Sequence, residues 1–499
     1  MEKSPEKIYT KYLNNVLDKS TALIQLISLI DNSESLTDRV RSIIILGEIS
    51  AKSPRVFNLL ENLLISDNHE IIRFNALRIL RKNFKDKALK PMTWALNHEK
   101  SLRCLLTITD TLGELDNPQS KGVIIDKLEI IQHDVFKIHY HNLFKIKAMK
   151  NFTCLQLAEI LKNYLIINQL EKKFGKIRYK LRNGLIMELD LSDVSSHVYG
   201  WNILKKMPKF IFKLNKLKRL DLKFNRLSTI PESIKNLSLI SHLDLSYNKI
   251  KELPRNIGTL KSLLYLNLRY NQLSLIPDTI GNLTSLKILN LRSNKLTVLP
   301  KTLNRLRKLE ILDLYGNKLN NIKINLKGLS SLKYLELGLN QLEKLPSWIK
   351  SLKSIKRIGL GGNKLLKLPN WITSLKSLNS LHLYDNELTT LPKSIGLLTE
   401  LEELTMWNNK LSFLPKSFTL LKSLKKLNLS WNNFEELPEW FGDLKSLEVL
   451  SLWGNKLKSL PISLSKLSSL RILDLNFNLI VEIPDFLRNL EKHGLIIYK

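Results

Sequence analysis

Residues 240–260 read ISHLDLSYNKIKELPRNIGTL, with Ile240, Leu243, Leu245, Ile250, Leu253, Ile257 and Leu260 as apolar positions, Asn248 among them and Pro254 after them. Leu243 and Leu245 alternate as in a short strand, so both face one side and Asp244 faces the other. Asn248 must then turn inward, where its amide can pair with backbone groups that would otherwise be buried unsatisfied at about 1 to 3 kcal/mol each. Pro254 has the fixed φ and missing donor that suit the start of a short helical or extended return segment. Ile257 and Leu260 continue one inward stripe. A unit of this size cannot bury its leucines alone, so neighbours must stack on it.

Neighbours are present. An Asn recurs every 23 residues from Asn225 to Asn478, twelve in all and without an insertion. Prolines keep the same period from Pro208 to Pro484, with Lys323 in the one missing place. The pattern L-x-x-L-x-L-x-x-N-x-L-x-x-L-P is the leucine-rich repeat signature at a permitted period. The fold class expected is an α/β solenoid, a leucine-rich repeat horseshoe of about 12 to 13 repeats with a parallel sheet on its concave face and caps at its ends. Projecting the period past Asn478 puts Ile496 and Tyr498 at the two inward strand positions of a closing strand. At the other end eight extra residues lie between Ser192 and Trp201, read either as a loop insertion or as a protrusion carrying His197, Tyr199 and Trp201.

Residues 1–175 carry no such pattern and read as helices, with Asp38, Asp67 and Asp134 as candidate N-caps. Helix interiors around Leu46, Leu77, Leu112 and Leu143 are loosely similar, and Leu46-Gly47-Glu48-Ile49 nearly repeats as Leu112-Gly113-Glu114-Leu115. Arg41, Arg73 and Arg103 recur with them. The region resembles HEAT-like helical-hairpin repeats; the alternative is an irregular helical bundle. Two domains are expected, 1–175 and 176–499.

Across residues 185–499 the chain resembles the 23-residue leucine-rich repeat class of Ras-pathway scaffolds, LAP-family adaptors and plant intracellular Ras-group proteins, as in Leu427, Leu429, Asn432, Leu437 and Pro438. That resemblance implies a non-enzymatic scaffold or adaptor in intracellular signalling, whose concave sheet binds a protein such as a small GTPase, a kinase or a phosphatase. The helical third lies outside it.

The outward positions are those 6, 4, 2 and 1 residues before each ladder Asn. Eleven of these 48 are aromatic, about 23% against 7% for the chain. Phe224, Tyr247, Tyr270, Tyr315, Tyr384, Trp407, Trp431, Trp453 and Phe477 are the candidate partner contacts, because exposed aromatic area of this kind dominates protein interfaces. The competing account is that the rings stack and stabilise the sheet with no partner. Gly338, Gly359, Gly361 and Gly362 leave the centre open either to close approach of a ligand or to packing.

Lys plus Arg number 78 against 46 Asp plus Glu, a formal charge of +32. The candidate concave positions hold six bases and seven acids, so the excess lies elsewhere. A row of lysines following the ladder Asn, such as Lys249, Lys295 and Lys318, is either a solvated edge or a contact for nucleic acid or anionic membrane, the rival reading. Two cysteines, Cys104 and Cys154, exclude a disulfide-rich scaffold and a four-thiolate zinc site. His133, His139 and His141 do not share a helix face. With no phosphate loop and no signal core, the sequence reads as a cytoplasmic protein with no cofactor, metal or small-molecule substrate.

Overall fold

In the computed structural model, which describes residues 4–49, 52–131, 151–194 and 204–499, the chain divides into two units, Met1–Glu188 and Leu189–Lys499. The protrusion residues His197, Tyr199 and Trp201, the cap candidate Asp134 and the histidines at 133, 139 and 141 lie outside the described residues. Among those described, no helix is long and apolar enough to cross a membrane.

The first unit holds helices α1 (Pro5–Leu13), α2 (Lys19–Asn32), α3 (Leu36–Glu48), α4 (Pro54–Ser66), α5 (Glu70–Asn83), α6 (Leu89–His98), α7 (Leu102–Leu115), α8 (Pro118–Glu129) and α9 (Cys154–Phe174). They pack as successive pairs, α2 on α3, α4 on α5, α6 on α7 and α8 on α9, and the second members α3, α5, α7 and α9 also pack in series. Glycine permits that series. A Cβ on Gly47 would lie 2.2 Å from Ile79 of α5, and one on Gly113 would lie 2.7 Å from Ala158 of α9, which explains why the Leu-Gly-Glu phrase recurs.

Helix starts differ from the sequence expectation. Ser35 caps α3, its Oγ accepting from the Asp38 N–H at 3.2 Å, so Asp38 is the third helical residue. Both residue types suit a helix start, and the earlier one takes the cap. Asp67 follows α4 and instead accepts from the His69 N–H and pairs with Arg39. The recurring arginines do not repeat one interaction either. Arg41 pairs with Glu6, Arg73 makes a two-pronged pair with Glu99, and Arg103 lies 3.6 Å over the Phe74 ring.

Strands β1 (Arg178–Arg182) and β2 (Leu185–Asp190) are joined through Asn183 and Gly184, both at positive φ, the two-residue hairpin turn that such a pair favours. In the second unit each coil contributes a three-residue strand. The series runs from β3 (Arg219–Asp221) and β4 (His242–Asp244) to β14 (Ile472–Asp474) and β15 (Ile496–Tyr498), parallel and in sequential order. Leu220, Leu243, Leu266 and Leu289 stand in register, each without accessible surface.

Asparagine binds coil to coil. The Asn248 Nδ2 donates to the backbone oxygens of Leu222 at 2.9 Å and Leu245 at 3.1 Å, and its Oδ1 accepts from the Leu227 N–H at 2.9 Å. The same three bonds recur at Asn271, Asn294, Asn317, Asn340 and Asn363. After the ladder, proline opens a 3-10 turn such as Arg255–Thr259, where the Ile257 N–H donates to Pro254 O. In the coil where Lys323 replaces proline no 3-10 turn forms between Lys301–Arg305 and Ser347–Ser351, as expected where φ is not fixed in advance.

The last coil departs from the projected register. Its return segment is an α-helix, α10 (Asp485–Glu491), in place of a 3-10 turn, and one extra residue enters the coil. Ile497 therefore pairs with inward Leu473, while Ile496 and Tyr498 are exposed on the outward face. The inward assignment of Ile496 and Tyr498 is corrected accordingly.

Candidate functional site

The four outward positions are not equivalent. Those 6 and 4 residues before each Asn lie on the three-residue strand, as His242 and Asp244 do before Asn248. The residue immediately before each Asn is past the strand. All twelve residues in that column have positive φ, from 44° at Leu339 to 70° at Gly362. A left-handed residue here swings the chain so that the next side chain, the Asn, can enter the core. Gly316, Gly362 and Gly454 adopt that conformation without penalty, yet the same column holds Phe224, Tyr247, Tyr270, Trp431 and Phe477.

The nine candidate contacts gather in groups. Phe224, Tyr247 and Tyr270 form a stacked column, with ring centroids 4.3 and 4.5 Å apart and planes within 19°. Tyr384 and Trp407 stack at 4.9 Å and 2°. Trp431, Trp453 and Phe477 meet edge to face at 4.9 and 5.8 Å. Tyr315 neighbours Tyr384 through its hydroxyl and has the Arg292 guanidinium 3.8 Å from its ring centre. Phe224, Tyr270, Trp431 and Phe477 are 45%, 42%, 49% and 76% exposed, and the other five are half-buried.

The glycine centre is packed. A Cβ on Gly338 would lie 2.8 Å from the Tyr315 ring, one on Gly361 would lie 2.4 Å from Tyr384, and one on Gly359 would collide with the Glu336 carboxylate. Neighbouring side chains thus pack against the bare strand at Gly338, Gly359 and Gly361.

Burial sets the electrostatics of this floor. It pushes the carboxyls of Asp221, Asp313 and Glu336 above their ordinary values, with Asp244 adding to the effect at Asp221 and Asp313 adding to it at Glu336. Burial, and after it the neighbouring Tyr315, pushes the Tyr384 hydroxyl up to about 12. His382 is lowered by burial and then by Arg357, and its ring nitrogens contact Ser380 Oγ at 2.8 Å and Thr405 Oγ1 at 3.1 Å.

Part of the positive charge has a structural use that the sequence reading missed. The ammonium groups of Lys261, Lys376, Lys422 and Lys445 donate to the carbonyls of Asn282, Leu397, Asp443 and Lys466, each the last residue of the next coil's 3-10 turn. A cation at the carbonyl end of a helical turn is the favourable placement. The recurring Lys thirteen residues after the ladder Asn was the available signal. Lys410, whose place directly follows a ladder Asn, pairs with Glu387 at 3.2 Å.

The family model described as a leucine-rich repeat region matches residues 189–320 and 311–433, and two further leucine-rich repeat models match 437–480 and 423–444. No curated protein matches the chain. Among solved structures, a leucine-rich repeat protein of Leptospira interrogans is 36% identical, with 58% of this chain and 74% of that one covered and a TM-score of 0.56. The plant peptide hormone receptor RGFR1, solved with RGF2, is 30% identical over 58% of this chain and 52% of its own, with a TM-score of 0.49. The Toll–Spatzle complex of Drosophila matches at 24% identity over 62% and 43%, with a TM-score of 0.53, a likeness of fold alone. On its repeat signature, its ladder, the family-model matches and the Leptospira interrogans relative, the chain belongs to the leucine-rich repeat family.

Proposed function

We propose that this is a non-enzymatic interaction protein that binds a protein partner through the aromatic concave face of its leucine-rich repeats, acting as a scaffold or adaptor in intracellular signalling. The observation that carries the reading is the set of aromatic side chains held at left-handed backbone. Each costs about 1 to 2 kcal/mol relative to an unstrained residue, and glycine fills the same column elsewhere. For Phe224, Tyr247 and Tyr270 that is about 3 to 6 kcal/mol. Two ring contacts return about 0.5 to 1.5 kcal/mol each. Phe224 and Tyr270 nevertheless stay 45% and 42% exposed, and exposed aromatic area of this kind is what protein interfaces use. The helical unit, read as HEAT-like repeats up to residue 175, is a second arm of the same scaffold.

The test replaces Phe224, Tyr247 and Tyr270 together by glycine. Capture of the partner is expected to be lost while the melting temperature stays level or rises, because the strain is relieved. A melt lowered by several degrees with capture intact would mean that the column is structural only.

A further inference from the structure

The concave face changes character along its length. Over the four outward positions, the first seven repeats carry nine charged residues in twenty-eight places, and the last four carry three, Glu403, Lys426 and Asp474, in sixteen. Those last four hold Thr405, Asn408, Asn428, Ser451 and Asn476, none of them buried, in the same repeats as four aromatic rings. Hydroxyls and amides both donate and accept, and none carries a charge.

The rings are set differently from the stacked column. A Cβ built on Gly454 would be 2.9 Å from Cδ2 of Trp431, with Cε3 and Cε2 next at 3.1 and 3.3 Å. Cδ2 is a ring-fusion carbon bonded to three carbons, so an atom nearest to it can approach only over the ring face. One face of Trp431 is therefore seated against Gly454, and the indole is 49% exposed. Trp453 stands at 72° to it, and Phe477 lies at 72° to Trp453 on the far side, mostly exposed. Strands are about 4.8 Å apart, so the two exposed rings, two repeats from each other, sit roughly 10 Å apart.

We infer that the last four repeats form a platform for a neutral oligosaccharide, with the exposed rings of Trp431 and Phe477 taking sugar rings and the neighbouring accessible amides and hydroxyls taking their hydroxyl groups. An aromatic face is electron-rich and attracts the polarised C–H groups of a pyranose. A row of uncharged donors and acceptors matches a ligand that is both and bears no charge, whereas fixed charges left unpaired against such a ligand would cost free energy. Nucleic acid would need clustered bases, and Lys426 is the single Lys or Arg among the outward positions of these four repeats. The inference goes beyond the protein-binding reading, whose strained stacked column lies in earlier repeats.

The experiment titrates the full chain with a panel of neutral hexasaccharides (cellohexaose, maltohexaose, laminarihexaose, mannohexaose and chitohexaose) by calorimetry and tryptophan fluorescence, at low and high salt. At least one is expected to bind saturably, with an affinity that salt leaves unchanged, and Trp431→Gly is expected to weaken it by about tenfold or more. Glycine suits the left-handed backbone at 431, so the variant keeps its fold, and its melting curve verifies this. The triple glycine variant at Phe224, Tyr247 and Tyr270 should bind the sugar as the wild type does, which separates this inference from the protein-binding one. No saturable signal from any member of the panel into the millimolar range, or equal binding by Trp431→Gly, would overturn it.

Discussion

Asn363 shows how much one side chain does in this fold. Its Nδ2 donates to Leu337 O and Leu360 O, and its Oδ1 accepts from the Leu342 N–H, all near 3.0 Å and all buried. Asn363→Ala is expected to destabilise the repeat unit by about 1 to 3 kcal/mol, read by urea melting, because water cannot replace these partners. Lys364→Ala beside it, exposed, should stay within about 0.5 kcal/mol. The left-handed column gives a second contrast. Gly362 has φ 70°, and a Cβ there would approach Leu339 Cδ2 to 2.5 Å, so Gly362→Ala should lower stability by about 1 to 2 kcal/mol. The ladder was legible in the sequence because one residue type repeats at one spacing. The left-handed column was not read, because aromatics, Ser293, Leu339, Asp385 and Asn408 share it. Its signal was weaker but present: three glycines, an Asp and an Asn in one register, the residue types that tolerate positive φ.

At the scale of elements, local competition between structures decided what the sequence could predict. The choice between Ser35 and Asp38 as a cap, and between a 3-10 turn and α10 in the last coil, turns on one or a few hydrogen bonds, and a one-residue change there moved Ile496 and Tyr498 from the inward to the outward face. The two units also differ in their response to pH. In the helical unit burial raises the Glu99 carboxyl, but the Arg73 guanidinium and the backbone N–H groups of Ser101 and Lys100 outweigh it and hold Glu99 below its ordinary value. A depressed carboxyl stabilises the fold above its unfolded value, and the contribution is lost as pH falls through the folded one. Asp313 and Glu336, raised chiefly by burial, have the opposite sign: their cost is present at neutral pH and is relieved as they protonate. Lowering the pH from neutral toward the ordinary carboxylate range should therefore stabilise the central repeats, and acidification below that range should weaken the α5 to α7 contact. Hydrogen exchange resolved by peptide checks both, and Glu336→Gln should abolish most of the first effect while Glu99→Gln abolishes the second.

For the whole molecule, the repeat period read from the sequence yields the number of coils and the direction of the sheet, because each coil must bury the same leucines against its neighbours. The helical unit was less legible, since its pairs share packing and not a motif: Gly47 and Gly113 mark the close approaches, while Arg41, Arg73 and Arg103 serve three different contacts. The candidate aromatic positions could be named from spacing alone. Their grouping into a strained stack, a flat pair and an upright set required side-chain geometry. The +32 charge was hardest to interpret from composition, because a lysine that caps a carbonyl and one that faces solvent look the same in a sequence. The central claim is that the concave aromatic face meets a protein. The most direct measurement is hydrogen–deuterium exchange of the chain, free and with its copurified partner, mapped by peptide. Protection is expected across residues 219–224, 242–247 and 265–270. Protection confined to the helical unit, or to the lysine-bearing loops after the ladder asparagines, would contradict the account.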